Sequence, residues 1–338
     1  MGRMADQERM DNGATIMSLA DVYRAEILAA RLEGALRADA ELAMLWRAEA
    51  AVQEACASAW LEDLPVRPET LLVRDFRAEV GDPDQDRAAL SAAGILRGLH
   101  SPGDLLHMTE EVMSRIWALS MREVTGDAPF TTADCARIQT ALRDAESPIL
   151  GAIAVAQLVS EFTEGQAPSV ERLAFVAADH SLRGSGRFML GEVEAPRHLI
   201  AAPRGNWVVQ PSVALVDNGF RLWSVMRPER VADLVAGLTH SLERAVGSLA
   251  LHCRFLDHAR KLEASAHGSS KTPELMRLLM VQPIVSSGEV AARLDISPRG
   301  ALKLIDRAVE DGILVKVVGR NTYRAWATVP FARVLGRR

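Results

Sequence analysis

The sequence has few cysteines, the residues whose disulfides stabilise small extracellular folds. Its cysteines are Cys56, Cys135 and Cys253, which are far apart and odd in number. This spacing predicts neither a disulfide framework nor a zinc site, and it favours a reducing cytoplasm. The eight histidines include no HExxH pattern. We therefore expect a cytoplasmic protein without a bound metal.

Long apolar runs are also absent. The richest one, from Ile149 to Val159, is about half the roughly 20 residues that a membrane-spanning helix needs. The first residues carry charges at Arg3, Asp6 and Glu8 instead of the apolar core of a secretion signal. We expect no contact with a membrane.

Catalytic and cofactor motifs are equally scarce. The chain has no GxSxG elbow, no Walker loop and no GxGxxG motif after a strand. Aromatic residues make up only 5% of the chain, so the tryptophans are better explained as packing residues than as a cofactor box. The sequence predicts no catalytic residues, no cofactor and no enzymatic activity.

The composition that remains is that of a globular protein with an uneven charge. Of its 338 residues, 49% are hydrophobic and 25% charged, and this length suits two or three domains. The tail, from Gly268 to Arg338, holds twelve Lys and Arg against six Asp and Glu, a net charge of +6. The rest of the chain carries −11. An acidic body with a basic tail predicts a polyanion-binding module joined to something else.

The hydrophobic spacing predicts a mainly α fold, with a multi-helix body and a C-terminal winged helix-turn-helix of three helices and a β-hairpin. Boundaries are placed where the helical pattern breaks. The predicted segments are a disordered N-terminus (1–14), an N-terminal helical region (15–128), a central helical domain (129–266), a linker (267–272) and the winged helix-turn-helix (273–338).

Several local features of the body can be predicted. Thr131 or Thr132 should cap a helix, and Pro148 should kink or split it. The stretch Leu71–Phe76 fits a short strand or a helix edge. The stretch Leu182–Val216 is rich in glycine and proline, which predicts loops and a short hairpin.

A long helix is predicted from Glu229 to about Ala266. Apolar residues recur in it every seven positions, in two columns. The columns are Val231, Leu238, Ala245 and His252, and Val235, Leu242, Leu249 and Leu256. Such columns form either the seam of a dimer or a face buried within the chain's own domain, and both interpretations stay open.

The tail has the element order of a winged helix-turn-helix. Its predicted parts are two helices, a turn, a third helix and two strands. They lie at Pro273–Met280, Gly288–Leu294, Asp295–Ser297, Pro298–Asp311, Ile313–Val318 and Thr322–Thr328. We expect Asp295 to adopt a left-handed conformation in the turn, and Gly312 to end the third helix.

The third helix carries a row of cations that suits the major groove of double-stranded DNA. Arg299, Lys303 and Arg307 follow one another at i, i+4 and i+8, whereas Asp306 opposes phosphate. The predicted DNA-binding residues are Ser297, Arg299, Lys303, Arg307, Arg320, Asn321 and Arg324, of which the last three belong to the hairpin. The alternative is a winged helix that contacts protein.

The segments Ser287–Ala301, Gly312–Val315 and Gly319–Tyr323 resemble the C-terminal winged helix of many bacterial Fic proteins. The whole chain resembles an uncharacterised, often plasmid-borne alphaproteobacterial family that pairs a helical domain with this helix-turn-helix. The stretches that carry this wider resemblance are Glu54–Leu64 and Leu72–Asp75. The resemblance implies DNA binding and supplies no catalytic residues.

Two fragments of the body are also similar to Fic enzymes. Ala29–Gly34 resembles their inhibitory helix, whose glutamate pairs with an active-site arginine, although alanine replaces both serines. His180–Arg187 resembles the Fic active-site signature but lacks the acid that holds magnesium and is one residue short. The departures imply either a degenerate scaffold or a coincidental likeness in a glycine-rich loop, and both interpretations stay open.

Together these features predict a transcriptional regulator that dimerises through its body, because one winged helix seldom gives tight specific binding alone. The alternatives are a Fic-like nucleotidyl transferase and a protein-interaction adaptor. The sequence indicates no particular effector ligand.

Overall fold

A computed structural model describes residues 17–73, 83–121, 127–188, 207–219, 222–268, 270–320 and 323–336. Within these ranges the chain is mainly helical, with one small sheet near its C-terminus. The predicted fold class is confirmed.

Ten helices form the part of the body that the structure describes. They are α1 (Leu19–Ala38), α2 (Ala40–Trp60), α3 (Pro68–Val73), α4 (Pro83–His100), α5 (Thr109–Ser120), α6 (Thr132–Asp144), α7 (Pro148–Phe162), α8 (Pro168–Gly184), α9 (Pro211–Asp217) and α10 (Pro228–Ser265).

Short polar residues and prolines set the helix starts. Thr131 caps α6 in a reciprocal capping box with Asp134, as the sequence predicts. Ser147 caps α7, and Pro148 is in the first turn of α7, where its missing N–H costs no hydrogen bond. Pro148 therefore divides the predicted helix into α6 and α7.

Two local predictions in the body had different outcomes. Residues 68–73 form a helix, so of the two alternatives for Leu71–Phe76 the helix edge is the one observed for Leu71–Val73, and residues 74–76 lie outside the described ranges. The stretch Leu182–Val216 contains the end of α8 and all but one residue of α9. Pro211 begins a helix instead of breaking one, and Trp207–Gln210 forms no strand, so the hairpin prediction fails for the described part of this stretch.

The two apolar columns of α10 are buried within the chain. Helix α10 packs along α1 and against α9 and α2. Every column residue is buried except Leu249, which is partly buried. Gly237 allows the close approach to α9, because a Cβ there would overlap the carbonyl of Ala214. Of the two open interpretations, burial in the chain's own core is the one observed.

A buried ion cluster joins α1 to α8. The Arg183 guanidinium lies 2.8 Å from Asp179, 3.1 Å from Glu26 and 3.3 Å from Glu33. Burial raises the pKa of Asp179 to about 6, although Arg183 opposes the shift. A guanidinium that satisfies three carboxylates from two helices fixes how these helices pack.

The tail continues the chain without a long connection. It contains α11 (Thr272–Val281), β1 (Ile284–Ser286), α12 (Ser287–Leu294), α13 (Pro298–Glu310), β2 (Leu314–Arg320), β3 (Tyr323–Thr328) and α14 (Val329–Val334). The strands form an antiparallel sheet in the order β1–β3–β2. The three predicted helices and the hairpin are confirmed, whereas β1 and α14 were not predicted.

The turn between α12 and α13 has the predicted chemistry. Asp295 adopts a left-handed conformation with φ 51° and ψ 56°. Gly312, also left-handed at φ 72°, follows the end of α13. The left-handed conformations of these two residues set the direction of the chain as it enters and leaves α13.

Among the described residues, no helix is both long and apolar enough to span a membrane.

Candidate nucleic-acid interface

One face of α13 is buried and the opposite face is open. Ala301, Ile305 and Ala308 are buried, and the helix packs mainly against α12 and β2. The Ser297 hydroxyl accepts a hydrogen bond from the N–H of Gly300 at 3.1 Å, which fixes the first turn. Ser297 thus has a structural role in addition to its predicted place in the interface.

The open face divides into a cationic half and an acidic half. Arg299 and Lys303 are exposed on the first two turns and form no ion pair among the described residues. Asp306 and Glu310, also exposed, follow Arg299 by two and three turns on the same face. A polyanion can therefore approach the N-terminal half of α13 more favourably than its C-terminal half.

Arg307 lies at the side of this face. Its side chain is 77% exposed and its Nε is 3.8 Å from the carboxylate of Asp311. Such an exposed pair is weak, so Arg307 can turn towards a phosphate at little cost.

The hairpin places further cations beside α13. Arg324 is exposed on β3 and lies opposite Gly319 in the register, next to the hairpin end. Arg320 is the last residue of β2 and pairs with Tyr323 through the backbone. Asn321 lies outside the described residues, so its predicted contact stays a prediction.

Other exposed cations belong to the same domain, among them Arg293 and Lys316. Arg293 lies in the last turn of α12, immediately before the turn that leads to α13, and Lys316 lies on β2. Neither is among the residues that the sequence predicts to bind DNA. Their positions within the helix-turn-helix and the hairpin are the sequence features that could have indicated a role in DNA binding.

The tail is packed on the body, yet α13 is not covered by it. Helix α11 lies against α2 and α10, β1 against α3, and α14 against α10. The main contacts of α13 are with α12 and β2, and Arg299 and Lys303 of its cationic half are exposed.

A buried polar cluster lies within the junction. Glu49 on α2 is 2.9 Å from the Nε2 of His252 on α10, and the hydroxyl of Thr328 in β3 donates to Glu49 at 3.4 Å. All three residues are buried. No local pattern in the sequence connects them, and the alanine-rich run that holds Glu49 also holds Glu54.

The geometry of His252 requires a shared proton. Its Nδ1 is 2.9 Å from the carbonyl oxygen of Ser248, which can only accept, so Nδ1 carries hydrogen. Its Nε2 faces the carboxylate of Glu49. Burial opposes a charge on the ring, but the hydrogen bond and negative charge of Glu49 prevail and raise the pKa of His252. Just below the raised pKa of His252, the cluster is thus an imidazolium–carboxylate pair.

Comparisons with known proteins agree with this geometry. Residues 272–329, which run from α11 to the first residue of α14, match the family described as "HTH DNA binding domain". The chain therefore carries a helix-turn-helix DNA-binding domain.

A similar protein is the "Uncharacterized protein y4cF" of Sinorhizobium fredii (strain NBRC 101917 / NGR234). It is 39% identical over 70 residues, which is 21% of this chain and 17% of that protein. The chain thus matches only a small part of this relative.

The match to the family lies outside the Fic fragments of the body, which the structure brings together. Glu33 contacts Arg183, and His180 lies on the same helix, α8. His180 is 8% exposed, and burial lowers its pKa to about 4. The Fic resemblance stays a prediction.

Proposed function

We propose that this protein is a dimeric transcriptional regulator that binds a specific sequence of double-stranded DNA with α13 in the major groove. The observation that carries the proposal is the exposed pair Arg299 and Lys303 on the first two turns of α13. In helix-turn-helix proteins the N-terminal residues of this helix contact base edges.

The acidic half of α13 restricts how the helix docks. Asp306 and Glu310 are repelled by phosphates, so α13 enters the groove by its N-terminal end and tilts its C-terminal end away from the backbone. Arg299 then reaches a base, for which a guanine with two acceptors is the best match. Arg324 meets the flanking backbone, together with Arg320 and Asn321 of the hairpin, and these contacts fix the register.

A dimer follows from the small size of one reading element. A single module buries too little DNA surface for tight specific binding, whereas two linked copies add their contacts at high effective concentration. The buried columns of α10 do not provide the partner surface, so another surface of the body is needed.

The test is binding of the full-length chain to DNA sites selected from a random library. A variant with Arg299, Lys303 and Arg324 changed to Ala should lose selected binding and most of the salt dependence. The matched control changes Arg143, Arg254 and Lys261, which are exposed on the body, and removes the same charge. Equal losses in both variants would mean that net charge, and not α13, binds DNA.

We further propose that the body has no catalytic activity. Arg183, the arginine that meets Glu33, is held by three carboxylates and is only 3% exposed. A protein that transfers a nucleotide to itself or to a partner would overturn this proposal. If the full-length chain bound no DNA but bound another protein, the adaptor alternative would be favoured instead.

A further inference from the structure

Arg47, on α2, is a cation without a partner of its own. It is partly buried, and its Nε is wholly enclosed and has no hydrogen-bond partner among the described residues. Burial lowers the pKa of Arg47 to about 10, although the negative charge of Glu33 opposes the shift, so the side chain stays charged at neutral pH. A guanidinium that loses water without gaining hydrogen bonds is unfavourable. This favours a partner from outside the chain.

The carboxylate that acts on Arg47 is already bound by other arginines. The Nε of Arg37 donates to one oxygen of Glu33 at 2.8 Å, and Arg183 lies 3.3 Å from the other oxygen. Arg47 itself forms no ion pair with any described residue. Glu33 therefore compensates the charge of Arg47 only from a distance.

Contacts between neighbouring residues bring Arg47 close to His180 on α8. Trp46 packs on Trp207 with the ring centroids 5.9 Å apart, and the residue after Trp207 donates its N–H to Asp179 at 3.1 Å. Arg47 directly follows Trp46, and His180 directly follows Asp179. The two side chains also interact electrostatically, because burial and then the charge of Arg47 lower the pKa of His180 to about 4. These turns of α2 and α8 therefore lie next to each other.

His180 is a second buried group without a partner. It is 8% exposed, and its Nδ1 forms no hydrogen bond among the described residues. The low pKa leaves its ring neutral at pH 7, so the ring offers one N–H. Asp104 acts on the ring as well, but its carboxylate oxygens accept hydrogen bonds from Leu106 and His107. Arg115 adds a second positive charge near the ring.

We propose that Arg47 and His180 together bind a small anion with a carboxylate or phosphate group, between α2 and α8. The planar fork of a guanidinium matches either group with two hydrogen bonds, and the imidazole N–H adds a third. Arg37, whose charge also acts on Arg47, has a side chain that is 34% exposed, so the cluster extends to the surface. Arg47 lies outside both Fic fragments, and no transfer chemistry is implied.

The site lies on a helix that also contacts the tail. Two residues after Arg47 on α2, Glu49 accepts a hydrogen bond from Thr328, and α11 packs against the same helix. An anion at Arg47 would therefore be held by a helix on which the DNA-binding domain is seated. The binding itself does not depend on the proposed function, because neither Arg47 nor His180 belongs to the tail.

The experiment is isothermal titration calorimetry of the full chain with inorganic phosphate and, separately, with succinate, at constant ionic strength. We expect at least one of these probes to bind saturably with a dissociation constant of about 1 mM or less. The probe that binds more tightly identifies the group that the site prefers. If neither probe binds saturably up to about 20 mM, the proposal is wrong.

Substitution of Arg47 tests where the anion binds. Arg47→Met should weaken binding by about tenfold or more, because it removes a charge and its hydrogen bonds. Arg254→Met on α10 and Arg299→Met on α13 are the matched controls, since both remove an exposed charge, and they should keep the natural dissociation constant. Retained binding in Arg47→Met would overturn the site. A loss confined to Arg299→Met would assign the anion to the DNA-binding helix instead.

Two substitutions of His180 test the imidazole. The amide of asparagine can donate from nearly the position of Nδ1, whereas leucine cannot donate at all. Binding should weaken by about three- to tenfold in His180→Leu and largely recover in His180→Asn. Circular dichroism checks that each variant keeps its helix content. Equal affinities of His180→Leu and the natural chain would contradict a site made by both residues.

Stability without any anion separates a ligand-binding role of Arg47 from a structural one. Because Arg47→Met removes no ion pair with a described residue and no hydrogen bond of Nε, the urea midpoint should stay unchanged or rise. The tighter-binding probe should raise the midpoint of the natural chain and leave that of Arg47→Met unchanged. A midpoint that falls in Arg47→Met without an anion would show that Arg47 already has a partner within the fold, which would overturn the proposal.

Discussion

Cationic side chains are used differently in the body and in the tail. In the body, Arg172 and Arg183 are buried and bound to carboxylates, and the exposed Arg260 bridges Asp39 and Glu41. In the tail, Arg299 and Lys303 on α13 are exposed and form no ion pair among the described residues. These three cations of the body hold its helices together, whereas Arg299 and Lys303 of the tail are available for a partner.

This contrast explains how an acidic chain can bind a polyanion. In the body, Arg172 and Arg183 are already paired with carboxylates inside the fold. In the tail, whose net charge is +6, Arg299 and Lys303 are exposed on a helix that packs mainly against other parts of the tail. Overall charge is therefore a poor guide to function here, and the accessibility of each cation is a better one.

The largest effect is expected when a body cation is removed. Arg183→Met leaves the carboxylates of Asp179, Glu26 and Glu33 without their common partner inside the fold. We expect the free energy of unfolding to fall by about 3–5 kcal/mol. Chemical denaturation with urea measures this loss. Arg299→Ala is the control and should change the free energy of unfolding by less than about 0.5 kcal/mol. Equal losses of stability in the two variants would contradict the difference between body and tail cations.

A smaller effect, on DNA and not on stability, is expected from Arg299→Ala. If Arg299 reads a base, the change should cost about 1–3 kcal/mol on the preferred site and flatten the preference at one base position. Arg307→Ala and Arg320→Ala should instead weaken all sequences alike and lower the salt slope by about one. Binding to a panel of single-base variants at several salt concentrations separates the two patterns. An unchanged base preference in Arg299→Ala would mean that α13 does not read sequence.

The smallest effect concerns the junction between the regions. The pKa of His252 is raised above its ordinary value of 6.5 by Glu49, so the folded state binds a proton more tightly than the unfolded state does. This contribution to stability is complete below about pH 6.5 and is lost as the pH rises through the raised pKa. Unfolding curves recorded between about pH 6 and 9 measure the decline.

His252→Gln isolates this contribution, because glutamine can hydrogen-bond to Glu49 but does not titrate. The difference in unfolding free energy between the natural chain and this variant should shrink as the pH rises. A difference that is constant with pH would show that His252 does not share a proton with Glu49.

The tail could be predicted nearly completely, because its signals are local. Ser297, Pro298 and Gly312 mark the ends of α13, and Asp295 marks the turn, all within a few residues of the structure that they specify. Strand β1 was missed because its three residues are too short to show an alternating pattern.

The body could be predicted only as a set of helices, because its organisation depends on contacts that are distant in sequence. Glu49 meets His252 and Thr328 across more than 200 residues, and no local pattern connects them. The seven-residue columns of α10 were ambiguous for a physical reason, since the same spacing suits a partner helix from this chain or from another one.

The cluster of Glu49, His252 and Thr328 has a consequence for the DNA site. Because the tail is seated on the body and not suspended from a free linker, two copies would hold their reading helices at a set separation. The dimer would then bind only operators whose two half-sites lie on the same side of the duplex. Adding about five base pairs between half-sites turns one of them to the far side of the duplex, and about ten brings it back to the same side.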